Sequence, residues 1–297
     1  MHSCLMYQGR SFTAPGCVWA EKVNKSGGAL IISSAAQLMS GTENRIILST
    51  KGLTVRFGGL IALNNVEVNV REGQIHGLIG PNGAGKTTFT NTVSGLIRPD
   101  TGEILFMDNV ISKLDPYAIT EKGITRTFQK AQILPGLNCL QNVMTGCHPR
   151  IKSGMLKTLF YPHFLRKKEE GKIKEKAGEL LELVGMSGSA ERSGGDLSWV
   201  ECQLLQIARS MATEPKLLIL DEPTAGMGFE ESRVVGKIIR QIRDTGVTII
   251  LISHDMKLVM ENADMVSVLD FGEKIAEGIP EKIKDDPRVL EAYLGTE

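Results

Sequence analysis

Residues 80–88 read Gly80-Pro81-Asn82-Gly83-Ala84-Gly85-Lys86-Thr87-Thr88, which fits the pattern GxxxxGK(S/T). The apolar residues 74–79 before this loop predict a strand, and residues 85–96 predict a helix. In that setting the glycines let backbone N–H groups turn towards phosphate oxygens, and the helix N-terminus adds positive potential. We therefore predict a nucleotide site in which Lys86 reaches the β- and γ-phosphates and the Thr87 hydroxyl is a ligand of Mg²⁺.

A second motif supplies carboxylates. The apolar residues 217–220 run directly into Asp221 and Glu222. A strand of this kind would be buried in the sheet, so it would bring both side chains to the edge where the phosphate loop begins. There Asp221 would hold Mg²⁺, and Glu222, directed to the opposite side, would take a proton from the attacking water. Paired acidic residues at a strand end are often only a solvated turn, and the phosphate loop favours the catalytic interpretation.

The composition limits the classes of partner. Of the 297 residues, 42% are hydrophobic, and 34 basic residues balance 34 acidic ones, so nothing indicates a nucleic-acid partner. The longest apolar runs have the length of strands, whereas a membrane-spanning helix needs about 20 residues. We therefore expect any link to a membrane to run through another protein. The five scattered cysteines form no CxxC pair, which favours a reducing cytosol over disulfides or a zinc site.

Two regions differ in their pattern. Residues 1–44 carry Ser, Gly and Thr with little apolar periodicity, so we expect a weakly structured, dispensable extension. Met39, just before the first predicted strand, is the hypothetical natural start. Residues 45–297 are expected to form one domain in which strands alternate with helices, a pattern that predicts a parallel sheet with right-handed crossovers. Within it, short strands are predicted at 46–50, 53–57 and 65–70, and residues 133–210 are predicted to be a mostly helical insert.

With both motifs in place, the chain resembles the ABC ATPases. The resemblance implies an α/β P-loop NTPase core with a parallel sheet, an antiparallel β subdomain near the N-terminus and the helical insert. It also implies three site residues. Phe57 would stack on adenine, with a core phenylalanine as the alternative; Gln129 would sense the γ-phosphate and Mg²⁺; and His254, after the strand predicted at 247–252, would contact the γ-phosphate.

Four segments narrow the resemblance to the ATPase subunits of branched-chain amino acid importers: residues 55–60, 126–129, 254–256 and 292–295. It covers the chain from about residue 46 to the end. The implied cofactors are ATP and Mg²⁺. The implied partners are integral-membrane permease subunits, a second ABC ATPase subunit (identical or different) and, indirectly, a substrate-binding protein, with this chain peripheral on the cytoplasmic face of the plasma membrane.

Other functions remain open within this resemblance. Close relatives of those importers carry urea or another small amide. A soluble ABC ATPase that acts on ribosomes or DNA would usually have two cassettes or long coiled-coil arms, and this sequence has one cassette and no sustained heptads. A nucleotide-binding subunit that hydrolyses little is the third alternative.

The sequence departs from the ABC pattern at two places. The signature LSGGQ is replaced by Leu197-Ser198-Trp199-Val200-Glu201, where Ser198 and Glu201 predict a capping box at the start of a helix. Ser198 would still face the partner subunit's nucleotide, but the isopropyl group of Val200 is expected to crowd that approach. Further along, Gly228 stands where the family carries Asp or Asn, so it has no side chain with which to bridge two subunits.

Overall fold

The computed structural model describes residues 45–128, 131–147 and 163–294, except for the side chains of residues 163–169 and 294. The described residues belong to one unit, which runs from Thr42 to Glu297. The extension expected at residues 1–44 lies outside them, so that boundary stays a prediction.

The strands are β1 (Ile46–Phe57), β2 (Leu60–Val66), β3 (Asn69–Arg71), β4 (Ile75–Ile79), β5 (Thr101–Phe106), β6 (Asn109–Val110), β7 (Ile124–Arg126), β8 (Leu217–Asp221), β9 (Thr248–Ile252), β10 (Met265–Asp270) and β11 (Glu273–Gly278). The helices are α1 (Lys86–Val93), α2 (Pro116–Lys122), α3 (Cys139–Thr145), α4 (His163–Leu183), α5 (Trp199–Met211), α6 (Phe229–Asp244), α7 (Met256–Asn262), α8 (Pro280–Lys284) and α9 (Pro287–Leu294).

A six-stranded sheet in the order β11-β10-β4-β9-β8-β7 carries the site. Neighbouring strands from β10 to β7 are parallel, as predicted, and β11 is added antiparallel to β10. Every residue of β4, β8 and β9 is buried, because the sheet is covered on both faces. Since β4, β9 and β8 are adjacent, the chain segments that follow them meet at one edge of the sheet.

A second, antiparallel sheet has the order β2-β1-β5-β6, with β3 also paired to β1. It differs from the prediction in two ways. The strands expected at 46–50 and 53–57 form one strand, β1, which bends at Gly52. The single strand expected at 65–70 is interrupted, because β2 and β3 pair with the two halves of that bent strand. Thr50 fills the interruption: its Oγ1 accepts from the Val68 N–H (2.9 Å) and donates to the Val66 carbonyl (3.1 Å).

Two hydrophobic clusters hold the layers together. The smaller cluster joins the antiparallel sheet to α1 and to the near face of the parallel sheet, and Phe89 and Phe106 are its largest buried side chains. The larger cluster covers the other face with α3, α4, α5 and α6. The helices α3, α4 and α5 overlap the insert predicted at 133–210. The parallel strands therefore lie between two apolar layers, and their ends carry the polar residues.

A buried histidine makes the stability of this fold sensitive to pH. His76 lies on β4 with no exposed surface, and its Nδ1 accepts from the Gln74 amide (3.1 Å), so Nε2 carries the proton and donates to Ser267 Oγ (2.9 Å). Burial lowers the pKa of His76 from 6.5 to about 4, although Glu277 opposes this and Lys274 adds to it. The folded state therefore keeps the ring neutral where the unfolded chain would protonate it.

We expect His76 to reduce the free energy of unfolding by roughly 3 kcal/mol as the pH falls from 6.5 to 4. A folded-state pKa below the unfolded value gives stability that is complete above pH 6.5 and is lost below it. Urea denaturation of the parent and of His76→Gln at pH 7.5, 5.5 and 4.5 measures this. The variant should show the flatter profile, and parallel profiles would contradict the expectation.

Candidate nucleotide and magnesium site

The phosphate loop connects β4 to α1, and two of its glycines are required by close backbone contacts. Gly80 has φ 152°, and a Cβ there would lie 2.1 Å from the Leu269 carbonyl oxygen. Gly85 has φ 100°, and its Cβ would lie 2.7 Å from the Ala62 carbonyl oxygen. No other residue fits either position without moving the backbone, so the loop keeps its curl and the N-terminus of α1 stays open.

An open cleft of about 460 Å³ lies over this loop. Its lining residues are Phe57, Leu60, Ile61, Ala62, Asn82, Gly83, Ala84, Gly85, Lys86, Thr87, Thr88, Asp221, Glu222, Ile252 and Phe271. Phe57 is 49% exposed, so it is not a core phenylalanine and can offer a ring face to a base. Phe271 was not predicted as a site residue; it is 87% exposed at the β10–β11 turn. Gly272 follows it, and an aromatic residue beside a turn-forming glycine was the signal that could have identified it.

Lys86 lies at the base of the cleft. Its Nζ donates to the carbonyl oxygens of Gly80 (2.7 Å) and Pro81 (2.9 Å). Burial lowers the pKa of Lys86, and the nearby carboxylates of Glu222 and Asp221 oppose that shift. The ammonium group therefore already lies inside the loop, where phosphate oxygens could replace the two carbonyl groups as its partners.

The two consecutive carboxylates have different partners. Asp221, at the end of β8, pairs with Arg126 at 2.6 Å. Glu222 has a left-handed backbone, φ 50°, and its Oε2 lies 2.6 Å from Nδ1 of His254, which follows β9. A positive φ is unusual for a residue with a side chain, and here the Glu222 N–H donates to the Ile252 carbonyl (2.9 Å). The turn therefore gives the two carboxylates different surroundings: Asp221 contacts Arg126, whereas Glu222 contacts the exposed His254.

The donor set of the cleft fits Mg²⁺ better than a transition metal. Thr87 and Asp221 both line it and offer hydroxyl and carboxylate oxygens, the hard ligands that Mg²⁺ prefers beside phosphate and water. In residues 45–128, 131–147 and 163–294 no group of three or more His, Cys, Asp or Glu side chains could hold a metal ion. Gln129, the third predicted magnesium residue, lies outside the described residues, so its role stays a prediction.

The signature segment lies apart from the cleft within this chain. Ser198 caps α5 as predicted: its Oγ accepts from the Glu201 N–H (3.3 Å), and its own N–H donates to Glu201 Oε2 (2.8 Å). Ser198 is not among the residues that line the cleft. The indole N–H of Trp199 donates to the Ala225 carbonyl at 2.7 Å, which ties the signature to the loop after Glu222. Sequence reasoning did not anticipate that contact.

The crowding expected from Val200 concerns the nucleotide of a second subunit and stays a prediction. The Val200 side chain is half-buried and packs against the larger hydrophobic cluster, so shortening it would remove apolar contacts within this chain. We therefore expect Val200→Gly to lower the free energy of unfolding by about 1–2 kcal/mol, through lost apolar burial and a glycine in the first helical turn. Hydrolysis by the assembled protein should not rise.

Urea denaturation and steady-state ATP hydrolysis measure these two effects. Val200→Ala is the matched control, since it also shortens the side chain but keeps a good helix former at that position. A clear increase of the hydrolysis rate in Val200→Gly would instead mean that the valine obstructs a neighbouring nucleotide.

The phosphate loop, the hydroxyl and carboxylate oxygens of Thr87 and Asp221 in its cleft, and the Glu222–His254 pair are the features of a P-loop nucleoside triphosphatase. A family model described as "ABC transporter" matches residues 63–225, which is more than half of the chain. A second model, "Branched-chain amino acid ATP-binding cassette transporter", matches residues 273–297. The chain therefore belongs to the ABC transporter family and is one of its ATPase subunits.

Similar proteins cover nearly the same region. The high-affinity branched-chain amino acid transport ATP-binding protein BraF of Pseudomonas aeruginosa is 41% identical over 85% of this chain and 99% of its own length. The corresponding protein LivG of Escherichia coli is 39% identical over 84% and 98%. The solved structure of a nucleotide-free ATP-binding cassette from an ABC transporter aligns with a TM-score of 0.74 and 32% identity, covering 85% of this chain and all of that one.

A cassette solved in its ADP conformation aligns equally well, with a TM-score of 0.74 and 32% identity. Among the described residues, no helix has the length and apolar character needed to span a bilayer.

Proposed function

We propose that this chain is the ATP-hydrolysing subunit of an importer for branched-chain or related amino acids. The observation that carries the substrate class is the match of residues 273–297 to the branched-chain amino acid cassette model. The names of relatives that span 84–85% of the chain support the same class. An importer of urea or another small amide is the second candidate, because the cleft residues are assigned to the nucleotide and do not distinguish one solute from another.

The proposed assembly contains partners of three kinds. The relatives are named as ATP-binding proteins of amino acid transport, which supports integral-membrane permease subunits as the partners that would carry the solute. Because Ser198 is not part of this chain's own cleft, its signature would complete the site of a second ATPase subunit. We place the complex on the cytoplasmic face of the plasma membrane, with a substrate-binding protein delivering the amino acid to the permease.

The proposed nucleotide chemistry uses ATP with Mg²⁺. Thr87 and Asp221, together with Gln129, would hold the ion, which would neutralise charge on the phosphates. Lys86 and the loop amides would orient the phosphates, and Ser198 of one subunit would face the nucleotide of the other. Glu222 would take the proton of the attacking water, while His254 contacts the γ-phosphate. Closure on ATP and opening after hydrolysis would drive the permease.

Uptake by cells of the source organism tests the substrate class. The gene is deleted and restored with either the parent or Glu222→Gln, and uptake of labelled leucine and of labelled urea is measured. We expect leucine uptake to be lost on deletion and restored by the parent alone. Loss of urea uptake instead would identify the amide importer, and unchanged uptake of both would overturn the transport proposal.

A further inference from the structure

A buried arginine pairs with the proposed magnesium carboxylate. Arg126 ends β7, the strand beside β8, and its Nη2 donates to Asp221 Oδ2 at 2.6 Å. The two side chains are only 7% and 8% exposed. Removing such charges from water is costly, so a buried pair of this kind needs good geometry and further hydrogen bonds. Neither the fold nor the assignments made above give Arg126 a role.

The same guanidinium also contacts the helix that carries the other magnesium oxygen. Its Nη1 donates to Asn91 Oδ1 at 2.6 Å and lies 3.4 Å from Ser94 Oγ. Asn91 lies on α1, whose first two residues are Lys86 and Thr87. The planar fork of Arg126 therefore connects Asp221 on the sheet to α1 through two short hydrogen bonds.

Two further contacts limit how the guanidinium and the carboxylate can move. The Arg126 guanidinium lies 5.7 Å from the centre of the Phe128 ring. The Asp221 N–H donates to Thr127 Oγ1 at 3.1 Å, so the backbone beside the carboxylate is fixed as well. Arg126 contacts one oxygen of Asp221, which leaves the other oxygen available as a metal ligand.

We propose that Arg126 is a positioning residue for the magnesium site, holding the Asp221 carboxylate at a fixed separation from the helix that bears Thr87. This inference rests on the magnesium role proposed above. A guanidinium beside a metal ligand repels the incoming cation, so charge alone would weaken the site. The benefit of the pair lies in orientation, since residues that support metal ligands typically affect metal affinity by 10- to 100-fold.

The test uses two variants that keep the charge. Arg126→Lys retains the cation but loses the planar fork, and Asn91→Ala leaves Arg126 in place but removes its contact with α1. Binding of a non-hydrolysable ATP analogue to the full chain is measured in EDTA and over a Mg²⁺ titration. We expect the half-saturating Mg²⁺ concentration to rise by about 10-fold in Arg126→Lys and by about 3-fold in Asn91→Ala. Affinity in EDTA should stay within about twofold of the parent in both.

Arg98→Lys is the matched control, because Arg98 pairs with Asp115 at 3.2 Å on the surface, with side chains 69% and 80% exposed. It should leave the Mg²⁺ requirement unchanged. The proposal is overturned if both test variants keep the parent's Mg²⁺ requirement, or if they weaken binding equally in EDTA and in Mg²⁺. If Arg126→Lys does not fold, Asn91→Ala decides alone. A parent that shows no Mg²⁺ dependence would overturn the magnesium site itself, and this inference with it.

Discussion

Glu222→Gln should lower the rate of ATP hydrolysis by about 10²-fold or more while ATP still binds. The amide keeps the size of the side chain and an oxygen that can accept from the backbone N–H of His254. In the parent, that backbone nitrogen lies 3.3 Å from Glu222 Oε2. It cannot take a proton from water, so the loss falls on the chemical step. The left-handed backbone at Glu222 does not change, because glutamine has the same Cβ.

Single-turnover hydrolysis and equilibrium binding of ATP separate the two effects. Glu230→Gln is the matched control, since Glu230 is an exposed glutamate near the start of α6 with its side chain 78% exposed. It should hydrolyse ATP at the parent rate. Normal turnover in Glu222→Gln would remove Glu222 from the role of general base, whereas loss of ATP binding would mean that the carboxylate shapes the cleft.

Lys86→Met should weaken ATP binding by about 10- to 100-fold, because the ammonium is the charged donor at the base of the phosphate loop. The methionine keeps most of the length of the side chain but carries no charge. The loop should keep its backbone conformation, which depends on Gly80 and Gly85. The carbonyl oxygens of Gly80 and Pro81 lose their donor, but water can hydrate them in the nucleotide-free protein.

Binding is measured in the Glu222→Gln background so that hydrolysis does not deplete the nucleotide. Lys51→Met, at an exposed position on β1, is the matched control and should bind like its background. An unchanged affinity in Lys86→Met would place the phosphates away from Lys86 and would contradict the assignment of the loop. A change in melting temperature common to both lysine variants would indicate a general effect of removing a positive charge.

The core of the fold could be predicted because its signals are local. The strand at 74–79, the loop at 80–88 and the acidic strand end at Asp221 each combine an apolar run with a following polar motif. Consecutive parallel strands place such ends at one edge of the sheet. The helix cap at Ser198 was equally local, since the capping box needs only residues three positions apart.

Long-range contacts determined the rest. Arg126 and Asp221 are 95 positions apart in the chain, and only the pairing of β7 with β8 brings them together. Phe271 reaches the cleft because the β10–β11 turn lies beside the phosphate loop. The interruption between β2 and β3 depends on the bend of β1. The alternating pattern of residues 65–70 does not predict that bend, because it lies in another part of the chain.

The sequence by itself determined the class of protein, the phosphate loop and the pair of carboxylates, because glycine spacing and apolar runs act over a few residues. Only the tertiary structure decided what each carboxylate contacts and that Val200 packs against the larger hydrophobic cluster. Those outcomes depend on which strands and helices pack together. The free energy that selects them comes from burial spread over two hydrophobic clusters, not from any short segment.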